Sequence, residues 1–126
     1  MVITQHRARR KRSGGRYKAW RKKRLRESGN IPAYTKLAKK VVKSHRTVGN
    51  KRKIFLLSAE TANVYDPKTK KYEQLKIGTI VENPANRHFI RRSIITKGTI
   101  IKTEKGNARV MNRPGQEGVI NAVLVS

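Results

Sequence analysis

The chain has 126 residues, with 32 Lys and Arg against 7 Asp and Glu, a formal net charge of +25. That length reads as one domain with a tail; the apolar share of 36% implies a small core, and the absence of cysteine excludes disulfides, a thiol nucleophile and a zinc-thiolate site. No apolar run approaches the roughly 18 residues a membrane helix needs, the basic N-terminus does not read as a secretory signal, and so much like charge requires a polyanionic partner.

The charge is concentrated at the front. Met1 to Lys53 holds 20 Lys and Arg and one acid, Glu27, a net +19, whereas Ile54 to Ser126 holds 12 Lys and Arg and six acids, a net +6. Between Ile3 and Leu25 the only large apolar side chains are Tyr17 and Trp20, too few to close a core. Residues 1–35 therefore read as a basic extended arm and 36–126 as the folded body. Fully extended, the first 29 residues would reach about 90 Å at about 3.3 Å per residue. A short helix is expected across Tyr17 to Arg26, with Ser13 near its start and Gly29 past its end. Its Arg21, Lys22, Lys23, Arg24 and Arg26 repel one another, so it should order only against phosphate.

The body reads as short strands, because Ile54 to Ser126 contains 21 Ile, Val or Thr, which favour a pleated, half-buried surface. Strands are expected over 40–48, 53–65, 72–81, 99–103, 108–112 and 119–125. Gly49-Asn50, Asp66-Pro67-Lys68-Thr69 and Asn83-Pro84-Ala85-Asn86 supply turns between them. Gly106-Asn107 should join 99–103 to 108–112 as a hairpin, and Arg113-Pro114-Gly115-Gln116 has the residue order of a type II turn. Along 53–59 both Ile54, Leu56, Ser58 and Phe55, Leu57, Ala59 are largely apolar, as in a strand buried on both faces; Ile77, Thr79 and Val81 oppose Gly78 and Ile80. A helix or a loop covers 86–93. The spacing makes the fold mainly β, a small closed or strongly curved antiparallel barrel carrying the long basic N-terminal extension.

Clustered cations are the strongest functional signal. Arg7, Arg9, Arg10, Lys11 and Arg12 precede Gly14-Gly15, and Arg16, Lys18, Arg21, Lys22, Lys23, Arg24 and Arg26 follow it. Each can neutralise one phosphate, so about ten contacts would give a log–log salt slope of roughly −7 to −9. Gly14 and Gly15 would let the backbone approach a nucleic-acid surface closely. Tyr17, Trp20 and Tyr34 have the chemistry to stack on unpaired bases; for Trp20, packing back onto the body is equally open. A second basic group is Arg46, Lys51, Arg52 and Lys53, and a third is Arg87, His88, Arg91 and Arg92.

Catalytic patterns are absent. His6, His45 and His88 are far apart and none stands at a metal-ligand spacing. The acids are scattered singly, and there is no nucleophile elbow or phosphate-cradling loop.

Taken in order, these residues resemble a known family, the ribosomal protein S8e of the archaeal and eukaryotic small subunit. The resemblance runs from Lys11-Arg12-Ser13-Gly14-Gly15-Arg16 and Arg21-Lys22-Lys23-Arg24 through Gly29, Pro32, Thr35, Gly49-Asn50-Lys51 and Ala62-Asn63-Val64. Its most specific stretches are Asn83-Pro84-Ala85-Asn86-Arg87 and Ile94-Ile95-Thr96-Lys97-Gly98, and it ends on Arg113-Pro114-Gly115-Gln116, whose Arg113 would also touch RNA. It implies a structural protein binding small-subunit rRNA beside neighbouring ribosomal proteins in the cytoplasm, with no catalysis, cofactor, membrane or small-molecule substrate, and of the archaeal type. The chain departs from the family at Val48, where Gly is usual, and at Ser93, where Asn is common. The competing reading from the residues is a protein of duplex DNA, which also attracts basic arms. A membrane-surface protein would need an amphipathic helix, which the first 30 residues lack.

Overall fold

The computed structural model describes residues 3–5 and 7–125. The chain divides into two units, Met1–Pro32 and Ala33–Ser126.

In the N-terminal unit, β1 (Ile3–Thr4) pairs antiparallel with β2 (Ser28–Gly29). The helix expected across Tyr17 to Arg26 does not form; a single 3-10 turn at Leu25–Glu27 is the helical element there. Six cations within those ten residues repel along a helix surface. The residues just before them bond across themselves. Arg10 and Arg16 bridge antiparallel, the Lys11 N–H donates to the Gly15 carbonyl at 2.8 Å, and the Gly14 N–H donates to the Lys11 carbonyl at 3.0 Å.

The second unit is mainly β. It contains β3 (Thr35–Leu37), β4 (Val41–Arg46), β5 (Arg52–Ala59), β6 (Thr61–Asp66), β7 (Lys71–Glu82), β8 (Ile94–Ile95), β9 (Ile100–Thr103), β10 (Gly106–Val110) and β11 (Asn121–Leu124). Two one-turn helices interrupt it, α1 (His88–Arg91) and α2 (Pro114–Glu117). Five strands close into a barrel in the order β10-β11-β6-β7-β9, and a four-stranded sheet runs β4-β5-β3-β8.

The barrel corrects the all-antiparallel expectation. Strand directions cannot alternate all the way round an odd-membered ring, so a five-stranded closure requires a parallel pair. It falls between β6 and β11, where Ala122 sits opposite Val64. Closure also needs curvature, which bulges supply: the β7–β9 register slips between Ile77 and Thr79 and again between Ile80 and Glu82. Those slips undo the simple alternation expected there, so Ile77 is buried and Ile80 half-buried while Thr79 and Val81 are exposed.

The expected strand over 53–65 is two strands. The chain leaves the sheet at Glu60 and enters the barrel, and the Ile77 N–H donates to the Glu60 carbonyl at 2.8 Å. A bulge makes Leu57 an extra residue opposite Val41/Val42, so the buried positions Leu56 and Ala59 fall three apart. One core serves both layers: Leu56, Ala59 and Ile95 of the sheet pack with Val64, Ile77, Ile101 and Val110 of the barrel.

Turns also differ in detail. The β9–β10 hairpin turns on Glu104-Lys105, because Thr103 faces Gly106 in register; Gly106 opens the second strand rather than forming the turn. Arg113-Pro114-Gly115-Gln116 enters α2 instead of a type II turn, with Pro at the first helical position and Gly118 closing it in the left-handed region at φ 75°. Between β4 and β5, Gly49 and Asn50 carry the positive φ values, 76° and 60°, so Val48 does not need the glycine usual in the family.

Candidate nucleic-acid interface

The N-terminal unit turns its cations around a tight loop. Gly14 stands at φ 84°, a conformation an L side chain resists, and this lets the chain reverse between Lys11 and Gly15. The Arg10 guanidinium donates to the Gly14 carbonyl at 2.7 Å. Arg9, Lys11, Arg12, Arg16 and Lys18 are exposed along both sides of the reversal, with Gly15 beside them.

Two aromatic rings collect cations instead of packing on a core. Arg7 lies 4.2 Å from the Tyr17 ring centre with Lys11 at 5.6 Å, and Arg21 lies 4.7 Å from the Trp20 ring. Trp20 nevertheless keeps 74% of its surface exposed. Arg7, Arg9, Tyr17, Trp20, Arg21 and Lys23 help line a cavity of about 230 Å³. Arg21 pairs with the Glu27 carboxylate, while its Nε and Nη1 are buried with no acceptor. Lys22, Arg24 and Arg26 are exposed. His6 lies outside the described residues.

In the second unit, the sheet holds out a basic ribbon. Every residue of β4 is exposed, and so are Arg52, Lys53 and Ile54 at the start of β5. Arg46 stands directly opposite Arg52, and His45 opposite Lys53. The like charges of Arg46 and Arg52 facing across strands destabilise the pair, a cost that a bound anion removes. Lys51 lies in the connecting turn, where its carbonyl accepts from the Thr47 N–H at 2.8 Å. Sequence reasoning missed Lys43 and His45, which the same ribbon presents; their alternation with Val42 and Ser44 was the available signal.

The third group rides on α1. Arg87, His88, Arg91 and Arg92 are exposed, and the half-buried Phe89 between them meets Tyr34 edge-on at 5.6 Å. Tyr34 thus anchors α1. Arg113 is exposed just before α2, and Gly115 lets the Ala33 carbonyl come within 2.9 Å of where a Cβ would stand.

Among the described residues no group of three or more His, Cys, Asp or Glu converges as a metal site, and no helix is long and apolar enough to cross a membrane.

The chain matches the ribosomal protein S8e family over residues 4–125. It belongs to that family. It is 46% identical over 125 residues to the small ribosomal subunit protein eS8 of Picrophilus torridus, covering 99% of this chain and 100% of the relative. Identity is also 46% with the eS8 proteins of Methanococcus aeolicus, over 100% of this chain and 99% of the relative, and of Methanocorpusculum labreanum, over 98% and 99%. These are ribosomal proteins and not enzymes, and the three organisms' proteins match this chain end to end.

Two stretches that carry the S8e resemblance do structural work here. Asn83 is 4% exposed; its amide donates to the Ile94 carbonyl at 3.1 Å, and its Oδ1 accepts from the Ala85 N–H at 3.1 Å. The motif thereby fixes the loop that leads into α1, while its Arg87 stays at the surface.

Proposed function

We propose that this S8e chain is a structural protein of the small ribosomal subunit, working in the cytoplasm as part of the ribosome. It binds rRNA through the basic segment 1–35 and through the basic loops of the body 36–126, beside neighbouring ribosomal proteins, with no catalytic step. The relatives' names give the subunit. The observation that carries the RNA contact is the charge imbalance of the first segment: twelve Lys and Arg between Arg7 and Arg26 have one carboxylate, Glu27, in the whole N-terminal unit. Neutralisation must therefore come from outside, and rRNA phosphate is the polyanion a ribosomal protein meets.

The buried Arg21 donors support the same reading, because an unpaired buried donor is costly and a phosphate or base oxygen would satisfy it. The Arg46/Arg52 pairing on the ribbon and the cations of α1 extend the surface.

Sedimentation of cell extract at native salt tests the assignment: the chain should travel with small-subunit fractions, and its absence from them overturns it. Deleting Met1–Ser28 should leave the body folded, since its core lies between Leu56 and Ala122, and should sharply weaken rRNA binding. Stronger displacement by duplex DNA than by structured RNA at one salt concentration would favour a DNA-binding role instead.

A further inference from the structure

We infer that the end of the barrel built by the β6–β7 and β9–β10 hairpins is a second RNA site, which takes an unpaired base on Tyr72 and its flanking phosphates on Lys68, Lys70 and Lys71. This rests on RNA being the partner, but on none of the cations already described.

Three observations meet at that end. Tyr65 and Tyr72 face each other in register across the strands, with ring centres 4.8 Å apart. The pair is lopsided: Tyr65 is half-buried, whereas Tyr72 is 76% exposed. Cross-strand aromatic pairs commonly support a sheet, but a pair serving that purpose alone gains little from a ring left mostly in water. Tyr65 supports a Tyr72 ring that stays largely accessible, as base stacking requires.

Lys70 sits in the left-handed region at φ 54°. Gly or Asn would occupy that position with less strain, so the turn retains a cation at a conformational cost. Such a cost persists where the side chain has a use.

Two acids nearby, Asp66 and Glu73, are already engaged, while Glu104 in the neighbouring turn is exposed. Asp66 accepts from the Lys68 N–H and the Thr69 hydroxyl, each at 2.9 Å. Glu73 pairs with Lys105 of the neighbouring turn at 2.5 Å, which ties the two hairpins together at this end. Lys68 and Lys70 in the turn and Lys71 at the start of β7 are exposed, all within four residues of Tyr72. Lysines alone would equally suit an acidic peptide; the outward ring favours a nucleotide. Bases within a duplex are already stacked, so the ligand is single-stranded RNA.

Full-length chain and variants are titrated with a fluorescent, unstructured oligouridylate at high salt, where phosphate contacts are screened and stacking is retained. Tyr72→Ala should lose about tenfold in affinity, and Tyr72→Phe should bind like the parent. Lys70→Gly should lose about threefold at moderate salt while unfolding at a higher urea concentration, a pairing of signs that a purely structural lysine would not give. Ultraviolet crosslinking should place a nucleotide on the peptide containing Tyr72. Unchanged affinity in Tyr72→Ala and Lys70→Gly, with binding still lost on neutralising the basic segment, overturns this site and leaves the proposed function standing. Loss in the Tyr72 variant without any effect of the basic segment supports this site and sinks the segment's role. Weakened binding of polyglutamate by these variants, with RNA binding intact, marks a protein contact and also overturns it.

Discussion

The Thr96 hydroxyl donates to Asn83 Oδ1 at 3.0 Å, joining two loops that are separated in sequence by α1 and β8. The same hydroxyl lies 3.2 Å from the Thr99 hydroxyl, which accepts from the Thr96 N–H at 3.0 Å. Asn83 and Thr99 are both buried, at 4% and 0% exposure. The cluster is satisfied from within, which makes its members costly to remove.

Asn83→Ala leaves two donors, the Ala85 N–H and the Thr96 hydroxyl, and one acceptor, the Ile94 carbonyl, without this partner and should cost about 3 kcal/mol. Thr96→Val leaves the Asn83 amide on Ile94 and Ala85 and should cost about 1 kcal/mol. Urea unfolding measures both, and equal losses would mean the cluster is not organised around Asn83.

Gly118→Ala meets two obstacles. The backbone is left-handed at φ 75°, and the new Cβ would stand 2.6 Å from Ile54 Cγ2. A loss of about 3 kcal/mol is expected from clash and strain together. Adding Ile54→Ala should recover part of it, because it removes the clash but not the left-handed strain. Strict additivity in that double-mutant cycle would show that the two residues do not couple.

Ser93 occupies the left-handed region at φ 50°, where the S8e family commonly has Asn. The position has good backbone bonds, its N–H donating to Ile90 and its carbonyl accepting from Leu37, both at 3.0 Å. Ser93→Asn or Ser93→Gly should therefore stabilise the body by about 0.5 to 1 kcal/mol. A lower melting temperature in both variants would show that the Ser hydroxyl matters there.

The barrel strands were legible from β-branched content and turn residues, because half-buried short strands leave that pattern locally. What escaped was set by pairing at a distance. β3 and β8 have three and two residues, too short for any periodic signal, and they are strands only because Lys36 bonds between Ser58 and Ile94. The bulges in β7 answer to closure of the ring, and the one at Leu57 to pairing with β4, which no local window contains. At the candidate interface, the clustered cations announced themselves by composition. The roles of Asn83, Gly115 and Tyr34 did not, since Asn, Gly and Tyr serve turns and packing as readily as RNA contact.

Replacing Arg9, Arg12, Arg16 and Lys22 by Gln should flatten the log–log salt dependence of binding to single-stranded RNA by about 3, at roughly 0.7 per phosphate contact. Filter binding across a salt series reads this directly. An unchanged slope with lower affinity would place those side chains away from phosphate.

Hydrogen bonds from the Lys68 N–H and the Thr69 hydroxyl hold the Asp66 carboxyl below its ordinary value of 3.8. A depressed carboxyl contributes stability that is present above its unfolded value and is lost as pH falls through the folded one. The β6–β7 turn should accordingly stay intact at pH 4 and loosen only in more acidic solution. Following the Lys68 amide resonance through an acid titration tests this; a midpoint above 3.8 would refute it.

The parallel seam has a consequence for how the protein is made. Its second strand is Asn121–Leu124, so neither β6 nor β10 gains its last neighbour until those residues have left the ribosome. The cationic segment emerges first, when the barrel is still an open ribbon with unpaired edges. With the proposed RNA contact on that segment, the nascent chain would grip RNA before it finishes folding, and the order of translation would separate capture from closure.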